Sequence, residues 1–306
     1  MQKIKMNDLA LVFLIATTGL LFLPSLSFAS CADRQTQVNI AVQAQDLDQL
    51  EGLLAKLQNE DNCSETYLEW LKRSMAQIAA AKADQLTQRN KLDEAERFLQ
   101  RAPMTLWVTQ VVNGDIALRR KNWADAAYFY NQAIDLIADK SATPNAPPKE
   151  QIQKVYQLAS EAQLLTDQLG ATVSRSGKPS GIMRPKVRGF APKKRLIPIL
   201  FKSGKSGLTK KGERAAQQLI AYIKNQGFKK ITLIGHTDSK GPMWLNDRIS
   251  RKRAKALRRY LRRAGVRIRI RTKGRGEREP LQLDNPAAYT QNEIDKLNRR
   301  VELKTN

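Results

Sequence analysis

Asp238 and Arg253 stand fifteen residues apart in Ile-Gly-His-Thr-Asp-Ser-Lys-Gly-Pro-Met-Trp-Leu-Asn-Asp-Arg-Ile-Ser-Arg-Lys-Arg. Residues 231–234 form a short β-branched apolar run closed by Gly235, which reads as a buried strand. Residues 245–264 carry apolar side chains at three- and four-residue steps (Leu245, Ile249, Leu257, Leu261), which predicts a helix with one inward stripe. Arg253 falls on that stripe, and a charge buried there needs a partner. Asn246 and Ser250 precede it on the same face and extend a polar track along the helix. Thr237 and Asp238 turn off the end of the strand, where open α/β layers bind ligands. A guanidinium takes a carboxylate through two parallel hydrogen bonds, and the Asp238 carboxylate can take an ammonium. Such a pair suits a small zwitterion. The same spacing equally suits an internal Asp238–Arg253 salt bridge that ties the loop to the helix.

Other chemistry finds little support. His236 is the chain's one histidine, and no Gly-x-Ser-x-Gly nucleophile elbow occurs. One histidine with scattered acids is a poor metal set. The sequence therefore predicts a protein that is not an enzyme and that uses no metal and no cofactor.

The elements that must position Asp238 and Arg253 are read as a strand at 196–201 and a helix at 208–225. The strand at 231–234 and the helix at 245–264 follow. Strands at 266–272 and 298–304 come last, with a short helix at 288–297 between them. The expected architecture of residues 195–306 is an α/β sandwich of order βαβαββ, a mixed sheet with helices on one face. The blocks Gly235-His236-Thr237-Asp238, Asn246 with Ile249-Ser250, Arg253-Ala254, Gly274-Arg275-Gly276-Glu277 with Pro280, and Asn298-Arg299-Arg300-Val301-Glu302 occur in that order. In these blocks the segment resembles the OmpA-like, peptidoglycan-binding C-terminal domain of bacterial envelope proteins. The resemblance implies that Asp238 and Arg253 hold the meso-diaminopimelate of the stem peptide, with Asn246, Arg299 and Thr237 in support. It departs from the family at Phe201-Lys202-Ser203-Gly204, where a polar Asn or Ser is common and Gly204 offers no side chain.

Residues 30–169 are rich in Ala, Leu and Gln and read as all-helical. Asp84, Leu92, Ala95, Phe98 and Ala102 recur 31 residues on as Asp115, Trp123, Ala126, Phe129 and Ala133. This repeat resembles the tetratricopeptide repeat, whose stacked hairpins imply a protein partner; a generic helical bundle is the alternative. Trp123, Tyr128 and Tyr130 are expected in its packing. Residues 170–194, with scattered Gly, Pro and basic residues, read as a linker that lets two domains move independently. The overall expectation is an α+β chain, all-α helical repeats first and the sandwich second.

The net charge of +24 is uneven: residues 171–306 hold 36 Lys or Arg against 9 Asp or Glu. Such a half points first to nucleic acid. Against that, Lys3 and Lys5 precede an apolar run from 9 to 26 and then Ser27-Phe28-Ala29, a secretory signal pattern with cleavage expected after Ala29. An exported protein of the periplasm, at the wall or outer membrane, meets no nucleic acid. It meets stem-peptide carboxylates, anionic lipid and lipopolysaccharide. Cys31 and Cys63, in an oxidising compartment, suggest one disulfide. Lipidation of Cys31, or an uncleaved apolar anchor, remains open at this level. Three functions compete: a non-catalytic wall binder with a protein-binding helical arm, a scaffold held to polyanions by charge alone, and a wall hydrolase.

Overall fold

The computed structural model describes residues 29–59, 63–166, 180–197, 199–202 and 204–305. The expected signal segment, apart from Ala29, and residues 170–179 of the expected linker lie outside them. The chain divides into two compact units, residues 1–112 and 113–306, each considered by itself.

The first unit holds α1 (Ala29–Ala44), α2 (Leu47–Gln58), α3 (Glu65–Gln88), α4 (Leu92–Gln100) and the start of α5 (Trp107–Arg119). Leu50, Leu57, Leu71 and Met75 lie at its centre, where the heptad-like spacing of leucines in α2 faces α3. Cys31 and Cys63 are disulfide-bonded, with Cα atoms 5.5 Å apart, and pack against this core. The closed loop of 32 residues restricts the unfolded chain, worth on the order of 3–4 kcal/mol.

Three helix–helix turns share one geometry. Gln45, Asn90 and Lys121 take positive φ of 54°, 61° and 60°. After each, the next N–H reaches back five residues: Asp46 to Ala41, Lys91 to Leu86 and Asn122 to Ala117. This is the helix-ending turn in which a left-handed residue lets two N–H groups satisfy the last carbonyls. Asn90 and Lys121 are 31 residues apart, the period found in the sequence. Gly114 is the close-approach point of the last hairpin, since a Cβ there would lie 2.5 Å from the Tyr130 ring.

The second unit holds α6 (Trp123–Ala138), α7 (Lys149–Leu165), β1 (Lys194–Ile197), α8 (Lys210–Gln226), β2 (Lys230–His236), α9 (Met243–Arg263), β3 (Arg269–Gly276), α10 (Gln291–Asn298) and β4 (Val301–Thr305). The sheet order is β1-β4-β2-β3. Only β2 and β3 are parallel, and α9 provides the crossover such a pair requires. Alternation puts Ile231, Leu233, Ile270, Val301 and Leu303 on the face that α9 covers.

Four expectations change. The third strand begins at Arg269, not 266, because Val266 N–H caps α9 by bonding Leu261 O and its side chain is buried there. The first strand ends at Ile197. Helices do not keep to one face: Leu196, on the other face of β1, joins Leu164 and Leu165 of α7 with Tyr289 and Leu297 in a second apolar cluster. The basic segment, from residue 180 on, is clasped rather than free. Asp135 accepts from Ser180 Oγ (2.6 Å) and Gly181 N (2.9 Å) and pairs with Arg184. Asn131 accepts from Ile182 N, and Tyr156 OH donates to Ile182 O, both at 2.8 Å.

α6 and α7 therefore belong with the sheet. Glu161, fully buried on α7, accepts from Tyr289 OH at 2.8 Å and from Gln157 Nε2 at 2.8 Å. Burial pushes its carboxyl above the ordinary range, while those two donors oppose the rise. Lys296 Nζ donates to Leu165 O at 2.7 Å, and Trp123 stacks on Tyr289 at 5.7 Å between centroids. Of the three aromatics expected in packing, Tyr130 is fully buried and Trp123 partly so, whereas Tyr128 is 56% exposed.

Candidate functional site

The site forms where β2 ends and α9 crosses it. Gly235 and Gly274 permit the approach: a Cβ on Gly235 would lie 2.3 Å from Ser250 O, and one on Gly274 2.6 Å from Arg251 N. Ser250, fully buried, fastens the crossing. Its Oγ accepts from Gly276 N at 3.0 Å and donates to Asp247 O at 3.0 Å. Asn246 Nδ2 donates to Glu277 Oε2 at 2.6 Å. Of the expected polar track, Ser250 and Asn246 thus brace the α9–β3 contact, and Arg253 is left without a carboxylate among the described residues.

Asp238 follows the strand by two residues, after Thr237 N–H has bonded Gly276 O at 2.9 Å. Its Oδ2 receives Arg299 Nη1 at 2.5 Å and its Oδ1 receives Lys240 N at 3.3 Å. The Asp238 side chain is 12% exposed and that of Arg299 40%. Arg299 caps α10, so a third element enters the site. Thr237 is buried, and its hydroxyl has no hydrogen-bond partner among the described residues. Lys240 Nζ pairs with Asp295 Oδ2 at 2.7 Å and ties the loop to α10.

Arg253 is 7% exposed. Its Nε donates to Lys205 O at 3.3 Å, and its guanidinium lies 5.3 Å from the centroid of the Phe201 ring. No carboxylate pairs with it among the described residues. Burial lowers its affinity for its proton, the neighbouring Arg299 charge lowers it further, and Asp238 acts in the opposite sense. Asp238, Arg253 and Arg299 thus share one electrostatic neighbourhood, but Asp238 bonds Arg299 and leaves Arg253 unpaired. An internal Asp238–Arg253 salt bridge is not present. Two guanidiniums around one carboxylate leave an excess positive charge suited to a second carboxylate, beside an Asp238 whose outer lone pairs can take an ammonium.

Sequence reading missed Phe201, the Lys205 carbonyl and Glu277 as parts of this site. Glu277 stood within a recognised block without a role. Phe201 stood where a polar side chain was sought, and what the site uses there is a ring face under a cation. His236 is buried behind the loop. Its Nε2 is 3.5 Å from Glu302 Oε1, and neither ring nitrogen has a hydrogen-bond partner among the described residues. Glu302 also pairs with Arg300 (2.7 Å) and Lys194 (3.1 Å). Burial would raise its pKa, but contacts with His236 and Arg300 outweigh this and hold it well below the carboxylate range. Among the described residues no group of His, Cys, Asp and Glu is placed to hold a metal ion, and no helix is long and apolar enough to cross a membrane.

Photosystem I P700 chlorophyll a apoprotein A2 of Gloeobacter violaceus is 30% identical over 118 residues, 35% of this chain but only 13% of that protein. Similar solved structures include the OmpA-like domain of FopA1 from Francisella tularensis, 25% identical with a TM-score of 0.29, covering 35% of this chain and 70% of that one. Another is the peptidoglycan-associated lipoprotein from Burkholderia pseudomallei, 24% identical with a TM-score of 0.31, covering 40% and 96%. A third is the cell wall anchor of the T6SS from Pseudomonas aeruginosa, 20% identical with a TM-score of 0.30, covering 37% and 78%. Residues 200–293, which carry Asp238, Asn246 and Arg253 but stop short of Arg299, match the OmpA family and form an OmpA-family domain.

Proposed function

We propose that this chain is a non-catalytic envelope protein that binds peptidoglycan through the diaminopimelate of the stem peptide. Asp238 takes the ammonium. Arg253, with Arg299 beside it, takes the carboxylate. Thr237 offers an unpartnered hydroxyl, and Asn246 holds the α9 end of the site in place. The observation that carries this reading is a guanidinium nine-tenths buried and without a carboxylate, next to an aspartate held by a different arginine. A buried unpaired charge costs several kcal/mol, which a ligand carboxylate offsets. The expected signal segment places the domain outside the cytoplasm, in the periplasm at the wall or outer membrane. The three like turns at Gln45, Asn90 and Lys121 support tetratricopeptide-like hairpins. Trp70, 41% exposed on α3, is the kind of residue such an arm would offer a protein partner.

Co-sedimentation with purified sacculi tests the wall-binding reading. Arg253→Ala and Asp238→Ala are each expected to abolish it, and Arg253→Lys to fail too, because an ammonium cannot make the two-pronged contact. The rival, adhesion of the basic surface to lipopolysaccharide or another polyanion by charge alone, is favoured by the uneven charge of the chain. It predicts binding that ignores these substitutions and collapses in about 0.5 M salt.

A further inference from the structure

α9 has a second charged face, away from the proposed diaminopimelate site. Between Arg248 and Arg275 the chain holds fourteen Lys or Arg and no Asp or Glu. Arg248, Arg251, Lys255, Arg258 and Arg262 fall within one helical stripe, opposite the face that carries Asn246, Ser250 and Arg253. The one acid of α9, Asp247, is engaged by Arg278. At the C-terminal end the stripe deepens into a groove. Arg258, Arg259, Arg262 and Arg263, with Ile270 of β3, line a surface cavity of about 460 Å³. No carboxylate pairs with any of these four among the described residues. Among the described residues, their guanidiniums make one hydrogen bond, Arg262 Nη1 to Val266 O at 3.1 Å.

Four arginines line this one surface cavity, and their like charges favour an anion there. Guanidinium forks match phosphate oxygens two at a time. At the other end of the stripe, on the same face, stands Trp244, 64% exposed, with Met243 beside it at 51%. From Trp244 to Arg262 the stripe runs about 27 Å at the α-helical rise. β3 is the outermost strand, so no neighbouring strand shields that side. A long basic face is drawn to anionic headgroups by charge, and an exposed indole at its end is suited to the interface, where Trp settles.

We infer that the outer face of α9 docks on a phosphate-bearing lipid surface, with Arg258, Arg259, Arg262 and Arg263 receiving headgroup phosphates and Trp244 seated among the headgroups. The domain would then hold a lipid leaflet with one face of α9 and the wall with the other.

The test is flotation of the full chain with vesicles of phosphatidylglycerol and phosphatidylcholine in equal parts, at about 0.15 M salt, with binding to pure phosphatidylcholine vesicles subtracted. The quadruple variant Arg258→Gln, Arg259→Gln, Arg262→Gln, Arg263→Gln is expected to lose at least about tenfold in vesicle affinity. The matched control Arg269→Gln, Arg271→Gln, Lys273→Gln, Lys304→Gln removes the same charge from the far face of the sheet and is expected to retain most of it. Trp244→Ala, a surface change with no bearing on folding, is expected to weaken binding several-fold. Equal losses in the two quadruple variants, or unchanged binding of Trp244→Ala, would overturn the docking face. So would calorimetric binding of inorganic pyrophosphate in the groove without any preference for the anionic vesicles. None of these readouts involves sacculi, so failure here leaves the wall-binding reading standing.

Discussion

The chemistry of the site rests on how one guanidinium is held. Arg253 is gripped by a backbone carbonyl on Nε and by a phenyl ring, which leaves its outer nitrogens for a ligand. A cation over a ring is worth about 1 kcal/mol where partly desolvated. Phe201→Ala is therefore expected to weaken sacculus binding about fivefold without abolishing it, measurable as a shift in the co-sedimentation isotherm. The Glu302 cluster makes a different prediction. Its carboxyl titrates below the ordinary value of 4.5, so the stability it contributes is present above about pH 4.5 and lost as pH falls toward its folded pKa. Glu302→Gln should lower stability at neutral pH and flatten the acid limb of a denaturation-versus-pH series. An unchanged slope below pH 4.5 would contradict that. Asp238 and Arg253 were legible in the sequence because an acid after an apolar run and a base on an apolar stripe each break a pattern. That Arg299, not Arg253, would take Asp238 was not legible, since 61 residues separate that pair and only the packing of α10 brings them together.

Among the elements, the β2–α9–β3 unit sets the precision of the site. Its helix and strands meet at glycines, so Gly235→Ala forces a Cβ into the Ser250 carbonyl. Overpacking of this kind costs about 1–3 kcal/mol, or a few degrees in Tm per kcal/mol for a unit of this size. Thermal unfolding should show that drop, together with loss of wall binding. The helical pattern was readable in outline, and α9 begins two residues earlier than the hydrophobic stripe suggests because Met243 and Trp244 are helical yet exposed. The third strand slipped for a physical reason. Val266 is apolar and alternates with Arg267, but it serves the helix end rather than the ladder. Asn90 and Lys121, 31 residues apart, both take positive φ where a helix ends.

At the scale of the molecule, long-range contacts were the least legible feature, such as the hydrogen bond between Glu161 and Tyr289, 128 residues apart. Asp135 is the centre of the clasp on residues 180–184, so Asp135→Ala should speed tryptic cutting after Lys186 and Arg188, read by mass spectrometry of the fragments. Equal cutting rates would mean the clasp does not hold that segment. Calorimetric titration of free meso-diaminopimelate into the protein measures most directly whether a zwitterion binds at Asp238 and Arg253. The prediction is saturable binding that survives about 0.5 M salt and disappears in Arg253→Lys. Absence of heat with wild-type protein, or equal binding by Arg253→Lys, would contradict it.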